Sequence, residues 1–93
     1  MLLKLLWKPL ALEDRERIMA FIARDNPVAA LDLDLLFEQT ADLLASHPLL
    51  YKTGRIHGSR EAVVHPNYVM VYTVAPKKVV ILRILHAAQN WPP

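Results

Sequence analysis

The stretch Arg60–His86, REAVVHPNYVMVYTVAPKKVVILRILH, decides the fold of this 93-residue chain. Apolar residues recur in it with the period of two that is typical of β-strands, and two short polar breaks interrupt it. The pattern predicts three strands, Arg60–His65, Tyr68–Val74 and Val79–His86, separated by turns at Pro66-Asn67 and Ala75–Lys78. Because such short connections join antiparallel neighbours, we predict an antiparallel β-meander.

The segments that precede this meander supply two further strands in the prediction. Lys52–His57 is predicted to be a strand directly before the meander, with Gly58-Ser59 as a tight turn. Leu2–Trp7 is a short apolar run that ends before Pro9, which favours an opening strand over a helix too short to be stable. The predicted sheet therefore has one opening strand and four later ones.

Between the first two predicted strands, the apolar spacing changes to that of helices. Apolar residues recur every three or four positions over Leu10–Arg24 and over Pro27–Ser46, and Pro48 ends the second segment. Asp25-Asn26-Pro27 supplies an N-cap residue and then a proline at the first helical position, where its missing N–H costs nothing. The order β-α-α-β-β-β-β predicts one α+β domain over residues 1–93, with an antiparallel helical hairpin on one face of an antiparallel sheet.

The formal net charge of +2 hides a strong asymmetry along the sequence. Residues 1–50 contain five basic and eight acidic side chains, which gives −3. Residues 51–93 contain six basic side chains and the single acid Glu61, which gives +5. An acidic half followed by a basic half indicates a polyanionic partner for the basic half.

The composition excludes or disfavours several kinds of site. The chain has no cysteine, which excludes a disulfide scaffold, thiolate catalysis and a metal site with cysteine ligands. It has no glycine-rich phosphate loop and no histidine pair at metal-binding spacing, so neither a metal nor another cofactor is predicted. No apolar run is long enough to span a membrane and no cleavable signal peptide is recognisable, which predicts a soluble cytoplasmic protein.

Alternation along the three strands of the meander places four candidate functional residues on one face of the sheet. If the helices cover the side of Val80, Arg83 emerges from the opposite, uncovered face. Arg60 from one strand, and Tyr68 and Tyr72 from the next, are predicted to join Arg83 there. This placement depends on register, because a slip of one residue would move every side chain to the other face.

His86 and the two arginines are the candidates for chemistry. A histidine three residues after Arg83 suits acid–base catalysis on a phosphodiester, in which the imidazole moves a proton and the guanidinium stabilises the developing charge. The alternatives are that His86 caps the chain end or packs on Trp91, and that Arg60 and Arg83 serve solubility only. Glu61 acts as a base in one interpretation and holds a neighbouring arginine in place in the other.

Two pairs of apolar or aromatic residues are candidates for binding. Tyr68 and Tyr72 are suited to stacking on nucleic-acid bases. The alternative is that both are half-buried packing residues, as most tyrosines in strands are. Leu31 and Leu35 form a second, narrow stripe on the second helix, which belongs either to the peripheral core or to a surface for a partner.

The ordered set of these segments resembles the RelE/ParE superfamily, the toxins of type II toxin–antitoxin systems. The segments that carry the resemblance are Gly54–Val64, Tyr68–Tyr72 and Ile81–His86, followed by Gln89 and Trp91. The opening strand that ends at Trp7, the Asp-Asn-Pro junction and the chain length agree with the superfamily as well. The fold that the resemblance implies, a helical hairpin on a small twisted antiparallel sheet, is also the one predicted from the residues.

The resemblance implies one of two activities. RelE-like members cut mRNA in the ribosomal A site by attack of the ribose 2′-OH on the adjacent phosphate, whereas ParE-like members inhibit DNA gyrase without catalytic residues. The leading expectation is a metal-independent endoribonuclease in which Arg60 and Arg83 bind the scissile phosphate and His86 is the general acid or base. The alternatives are a ParE-like gyrase inhibitor and a degenerate, non-toxic binding module.

The resemblance also implies partners and the residues that bind them. The expected nucleic-acid-binding residues are Lys52, Arg55, Tyr68 and Tyr72. A cognate antitoxin is expected to wrap the chain, on the stripe of Leu31 and Leu35, along a sheet edge or over the basic face. The chain has no clear counterpart of the carboxylate base that some nuclease members use, which keeps the gyrase alternative open.

Overall fold

The computed structural model describes residues 2–93, which form two helices and a four-stranded sheet. The elements in chain order are β1 (Lys4–Trp7), α1 (Pro9–Ala23), α2 (Pro27–Ser46), β2 (Arg60–His65), β3 (Tyr68–Ala75) and β4 (Lys78–His86). The predicted helices and the three strands of the meander are confirmed to within one residue at each end. The predicted α+β class, with a helical hairpin against one face of a sheet, is confirmed as well.

The junction between the helices follows the sequence signals. Asn26 is the N-cap of α2, and its side-chain oxygen accepts a hydrogen bond of 3.1 Å from the backbone N–H of Ala29. The hairpin is held closed by Arg15 of α1, whose guanidinium donates to both carboxylate oxygens of Asp34 in α2 at 3.0 and 2.9 Å. The same guanidinium lies 4.7 Å from the ring centroid of Trp7, so it also ties the hairpin to β1.

The prediction of a strand over Lys52–His57 is wrong. Only Thr53 makes a β-bridge, to Arg60, and the residues after it close a compact loop. In that loop the backbone N–H of Gly54 donates to the carbonyl of Ser59 at 2.7 Å, and the positive φ of 82° at Gly58 makes the reversal possible. The segment lacks a strand because these local hydrogen bonds use the backbone groups that a ladder would need.

The sheet is mixed, whereas a fully antiparallel sheet was predicted. The strand order is β1-β4-β3-β2, and β1 lies parallel to β4 while the other two pairs are antiparallel. The hairpin, β2 and β3 all lie between β1 and β4 in the chain, so the connection is long enough to return in the parallel direction. β1 pairs with the first half of β4 and ends at Trp7, opposite Ile81 in the middle of that strand, and α1 begins two residues later.

The predicted assignment of the sheet faces is also wrong. The core under the hairpin includes Ala62, Tyr68, Met70, Tyr72, Val79, Ile81 and Ile84 from the sheet. Tyr68 and Tyr72 therefore lie on the face that the helices cover, where Tyr72 is fully buried and its hydroxyl donates to the carbonyl of Pro48 at 3.0 Å. Both tyrosines are packing residues of the core.

An irregularity in β4 explains why simple alternation fails there. Tyr72 pairs with Ile81 and the preceding Val71 pairs with Arg83, so β4 carries one extra residue, Leu82, relative to β3. The extra residue resets the alternation, and Ile84 returns to the same core as Ile81. Val80, Leu82 and Ile84 thus do not share a face, contrary to the prediction.

Candidate functional site

Arg83, the arginine predicted to bind a phosphate, forms an ion pair with a buried carboxylate of α1. Its Nε and Nη2 donate to Oδ2 and Oδ1 of Asp14 at 2.8 and 3.1 Å. Asp14 also accepts a hydrogen bond of 2.9 Å from the backbone N–H of Ile84 and one of 2.6 Å from Nη2 of Arg17. We call Asp14, Arg17 and Arg83 the Asp14 cluster. It joins α1 to β4 directly after the extra residue of the strand.

The environment of Asp14 favours its ionised form. The side chain is 1% exposed, and burial alone would raise its pKa. The hydrogen bonds from Arg83, from the Ile84 N–H and from Arg17 outweigh that effect, so the pKa of Asp14 lies below its ordinary value. The ion pair in turn raises the pKa of Arg83, which stays charged. Asp14 is a structural carboxylate, not a free base.

The free energy of unfolding is expected to decrease as the pH falls below about 4. Because the pKa of Asp14 is lowered in the native state, its contribution is fully present above the ordinary value of about 3.9 and is lost as the pH falls through the native value. Urea denaturation between neutral pH and pH ~3 measures this decrease. The Asp14→Asn variant should show a shallower decrease, and an unchanged slope in that variant would contradict the assignment.

Arg60 does not meet Arg83. It lies in β2 and pairs with Tyr72 of β3, so β3 separates the two arginines. Its Nη1 donates to the carbonyl of Tyr51 at 2.6 Å, and Tyr72 donates to the carbonyl of Pro48. The two side chains thus fix the connection between α2 and β2. The predicted meeting of two arginines and two tyrosines on an open sheet face is not found.

His86 belongs to an aromatic cluster at the end of the sheet. Its ring centroid lies 5.5 Å from that of Tyr68, and the ring of His65 lies 6.1 Å from Tyr68 on another side. Nδ1 of His86 accepts a hydrogen bond from the Ala88 N–H, and Nδ1 of His65 accepts one from the Asn67 N–H, both at 3.1 Å. In the neutral form each ring therefore carries its proton on Nε2.

Two adjoining cavities open beside this aromatic cluster. The larger cavity, of about 640 Å³, lies between the hairpin and the sheet end and is lined by Phe21, His65, Tyr68 and His86 among others. The smaller one, of about 280 Å³, shares Phe21, Tyr68 and His86, and Arg17 also lines it. Of the predicted catalytic residues, only His86 lines either cavity.

The remaining candidates lie apart from these cavities. Nε and Nη2 of Arg55 donate to the carboxylate of Glu61 at 3.1 to 3.3 Å, and the Arg55 N–H donates to it at 2.8 Å. Burial would raise the pKa of Glu61, but these hydrogen bonds lower it. The structure therefore supports the interpretation in which Glu61 holds a neighbouring arginine in place, and not the one in which it acts as a base. Lys52 is exposed, and its carbonyl accepts a hydrogen bond from the Glu61 N–H.

The outer surface of α2 carries the two leucines predicted to bind an antitoxin. Leu31 is 59% exposed and Leu35 is 51% exposed, so neither belongs to the core. The adjacent Val28 is 68% exposed and extends the apolar stripe toward the start of the helix. The structure thus leaves this stripe available to a partner.

Three residues of the site region were missed by the prediction. Asp14 was recognisable as an acid on the apolar stripe of a helix, which is a sign of a buried ion pair. His65 was recognisable from the two-residue turn at Pro66-Asn67, which places it next to Tyr68. Arg17 had no local signal, since its position depends on where α1 packs against β4.

Residues 2–93 contain neither a cluster of metal ligands nor a membrane-spanning helix. No group of three or more histidine and carboxylate side chains in residues 2–93 is arranged to hold a metal ion. Neither of the helices described here is long and apolar enough to cross a membrane.

Comparison with known proteins assigns the chain to a family. Residues 5–91 match the model of the ParE toxin of the type II toxin–antitoxin system parDE. The chain is 39% identical over 88 residues to the protein named Toxin RelE2 of Caulobacter vibrioides, covering 92% of this chain and 97% of that one. The agreement spans nearly the whole of both sequences.

Solved structures share the fold at lower identity. The chromosomal ParDE system from P. aeruginosa gives a TM-score of 0.81 at 19% identity, covering 91% of this chain and 96% of that one. The toxin–antitoxin complex RelBE2 from Mycobacterium tuberculosis gives 0.66 at 21% identity, covering 92% and 99%. The chain belongs to the ParE toxin family, within the RelE/ParE superfamily of type II toxin–antitoxin toxins.

Proposed function

We propose that this toxin acts by binding DNA gyrase and performs no chemistry of its own. The observation that carries the proposal is the engagement of Arg83, whose Nε and Nη2 are both held by the buried Asp14. An arginine that stabilises a phosphate during cleavage must present its N–H groups to the substrate. Two of the five N–H groups of Arg83 are held by Asp14 and the side chain is only 23% exposed, so few of its N–H groups are open to a substrate.

Arg60 and Glu61, the other two groups considered for cleavage, also have hydrogen-bond partners within the protein. Arg60 is held by the carbonyl of Tyr51, and it lies on the far side of β3 from Arg83. Glu61 is held by Arg55 and lies outside the two cavities. Inhibition by binding requires none of these groups to be free, and the match to the ParE family model agrees with such an action.

Cleavage of ribosome-bound mRNA remains the second candidate, and one observation favours it. His65 and His86 flank Tyr68 at a cavity of about 640 Å³, and both rings accept backbone hydrogen bonds at Nδ1. Two imidazoles that direct Nε2 away from the backbone could serve as general acid and general base. This geometry supports a nuclease that depends on histidines and uses neither Arg60 nor Arg83.

The two candidates make opposite predictions for His86→Gln. Under the proposal, the variant inhibits supercoiling by purified DNA gyrase and accumulates gyrase–DNA cleavage complexes as well as the parent chain does, within about a factor of two. Under mRNA cleavage, loss of a general acid or base lowers the rate by roughly a hundredfold or more. The supercoiling assay, run beside mapping of mRNA ends in a translating extract, measures both. Loss of gyrase inhibition in a folded His86→Gln protein would count against the proposal.

The proposal includes a cognate antitoxin as a protein partner and the cytoplasm as the site of action. Relatives of the same fold are described as toxin–antitoxin complexes. The stripe of Leu31 and Leu35, with the adjoining Val28, offers an apolar surface of the kind that binds a partner chain. We therefore keep this stripe as the expected antitoxin-binding surface.

A further inference from the structure

The three residues of the Asp14 cluster together have an excess positive charge, which the nearby Glu13 offsets in part through its electrostatic effect on Arg83. One carboxylate faces two guanidinium groups, so the cluster has a net charge of +1. Arg83 uses Nε and Nη2 on Asp14 and is 23% exposed, whereas Arg17 uses Nη2 only and is 65% exposed. The excess charge is therefore presented to solvent by Arg17.

Arg17 lies at the rim of an apolar pocket. It lines the cavity of about 280 Å³ together with Ile18, Phe21, Tyr68, Ile84, His86 and Gln89. We call this cavity the Arg17 pocket. Phe21 is 63% exposed, which is unusual for a large aromatic residue and leaves an apolar surface beside a cation. The pocket thus combines apolar walls with hydrogen-bond donors at its rim.

We propose that the Arg17 pocket binds an acidic segment of a protein partner, with an apolar side chain in the cavity and a neighbouring carboxylate on Arg17. The free N–H groups of Arg17 suit a charge-assisted hydrogen bond to that carboxylate. Gln89 also lines the cavity and adds a polar side chain to it. This inference shares one premise with the proposed function, namely that the toxin acts by contacting other proteins.

A nucleic-acid strand fits the same pocket less well. Binding of nucleic acid depends on several cations that neutralise successive phosphates. Arg17 is the only arginine or lysine among the described residues that line the pocket, and most of the others are apolar. A single cation beside aromatic and aliphatic walls matches one carboxylate next to an apolar side chain.

Asp14 has the role of a positioning residue for this pocket. It is buried and has no access to a partner, but it holds the guanidinium of Arg17 by a 2.6 Å hydrogen bond. The same carboxylate holds Arg83, whose guanidinium lies 5.7 Å from the ring centroid of Trp91 in the C-terminal segment. The carboxylate thus orders two neighbouring parts of the surface around His86.

The probes are two capped peptides that differ in one group, acetyl-Leu-Asp-Leu-amide and acetyl-Leu-Asn-Leu-amide. They are titrated into the isotope-labelled full chain and followed by NMR at the Arg17 Nε–H and at the backbone N–H groups of His86 and Gln89. We expect the aspartate peptide to bind about fivefold more tightly, the ratio that corresponds to ~1 kcal/mol from one exposed charge-assisted contact. Arg17→Gln should remove this difference and Arg17→Lys should retain part of it.

Arg24→Gln is the matched control, because Arg24 is an exposed arginine at the end of the same helix. It should leave the preference for the aspartate peptide unchanged. Arg17→Gln leaves Asp14 with Arg83 and the Ile84 N–H, so the variant is expected to fold, and its thermal unfolding verifies this.

Three results would overturn the inference. They are equal binding of the two peptides, an aspartate preference that survives Arg17→Gln, and stronger Arg17-dependent binding of the trinucleotide UpUpU than of the aspartate peptide. The peptide titration contains no gyrase, so its failure leaves the proposed function standing. Failure of gyrase inhibition likewise leaves the titration result standing.

Discussion

Replacement of Asp14 by alanine is expected to lower the free energy of unfolding by about 3 kcal/mol. The substitution removes the acceptor for Arg83, for Arg17 and for the Ile84 N–H in one step. Arg83 is only 23% exposed, so its charge would lose its partner in a place where water compensates incompletely. We expect the lower end of the range for a broken buried ion pair, because that remaining exposure allows some rehydration. Urea denaturation followed by circular dichroism measures the change.

Glu13→Ala is the control for this prediction. Glu13 is the preceding residue of the same helix and is exposed, so its removal should change the free energy of unfolding by less than about 0.5 kcal/mol. Asp14→Asn retains an oxygen for the Ile84 N–H but loses the charge. Its loss of free energy of unfolding should therefore lie between those of Glu13→Ala and Asp14→Ala. A loss below about 1 kcal/mol in Asp14→Ala would mean that the cluster does not join α1 to β4 as described.

Phe37→Ala is expected to lower the free energy of unfolding by about 4 kcal/mol. Phe37 is 1% exposed and is one of the largest fully buried side chains of the chain. Its ring meets that of Tyr68 edge to face at a centroid distance of 6.0 Å, so the cavity would open directly beneath the tyrosine that separates His65 from His86. Urea denaturation measures this loss of stability. In addition, the NMR signals of the His65 and His86 rings should broaden or shift.

Phe21→Ala provides a comparison with the same chemical change. Phe21 is 63% exposed, so its truncation should cost less than about 1 kcal/mol and leave the core intact. If both variants lost similar stability, the core would not lie between α2 and the sheet as the structure places it. Comparison of Phe37→Ala with Phe21→Ala thus distinguishes the effect of losing buried aromatic area from the effect of losing an exposed aromatic side chain.

The helices and the meander could be predicted because their signals are local. Asn26 and the proline after it mark the start of α2, and the change of apolar period from 3.6 to 2 marks where helices give way to strands. The strand over Lys52–His57 was predicted from its place before the turn at Gly58-Ser59, although Ile56 is the only apolar side chain among these residues. The hydrogen bonds of Gly54 and Ser59 that close the loop depend on the fold around them.

The faces of the sheet could not be predicted because no local signal says which side of the strands the helices cover, and an extra residue in β4 then interrupts the alternation. The extra Leu82 in β4 leaves no mark in the sequence, yet it changes which side chains face the helices after that point. The contact between Asp14 and Arg83 joins residues 69 positions apart, and no local pattern specifies such a pair. Arg83 could therefore be singled out from the sequence as a candidate, but its partner Asp14 could not.

The charge asymmetry has a different meaning once the contacts are known. It predicted a polyanionic partner for a basic sheet, but Asp14 from the acidic half neutralises Arg83 from the basic half. Glu61 does the same for Arg55 within the basic half. Since Glu61 is already counted in the +5 of residues 51–93, the pairing with Asp14 lowers that charge by one unit, and Arg17 of the acidic half presents a positive charge to solvent.

The most direct test of the account compares two kinds of damage in the same cells after expression of the toxin without an antitoxin. Gyrase–DNA cleavage complexes are trapped and quantified, and mRNA 5′ ends are mapped from the same culture. Our account predicts growth arrest with accumulated gyrase complexes and no new cuts at ribosomal A-site codons, for the parent chain and for His86→Gln alike. Cuts at A-site codons that disappear in His86→Gln, without gyrase complexes, would contradict it.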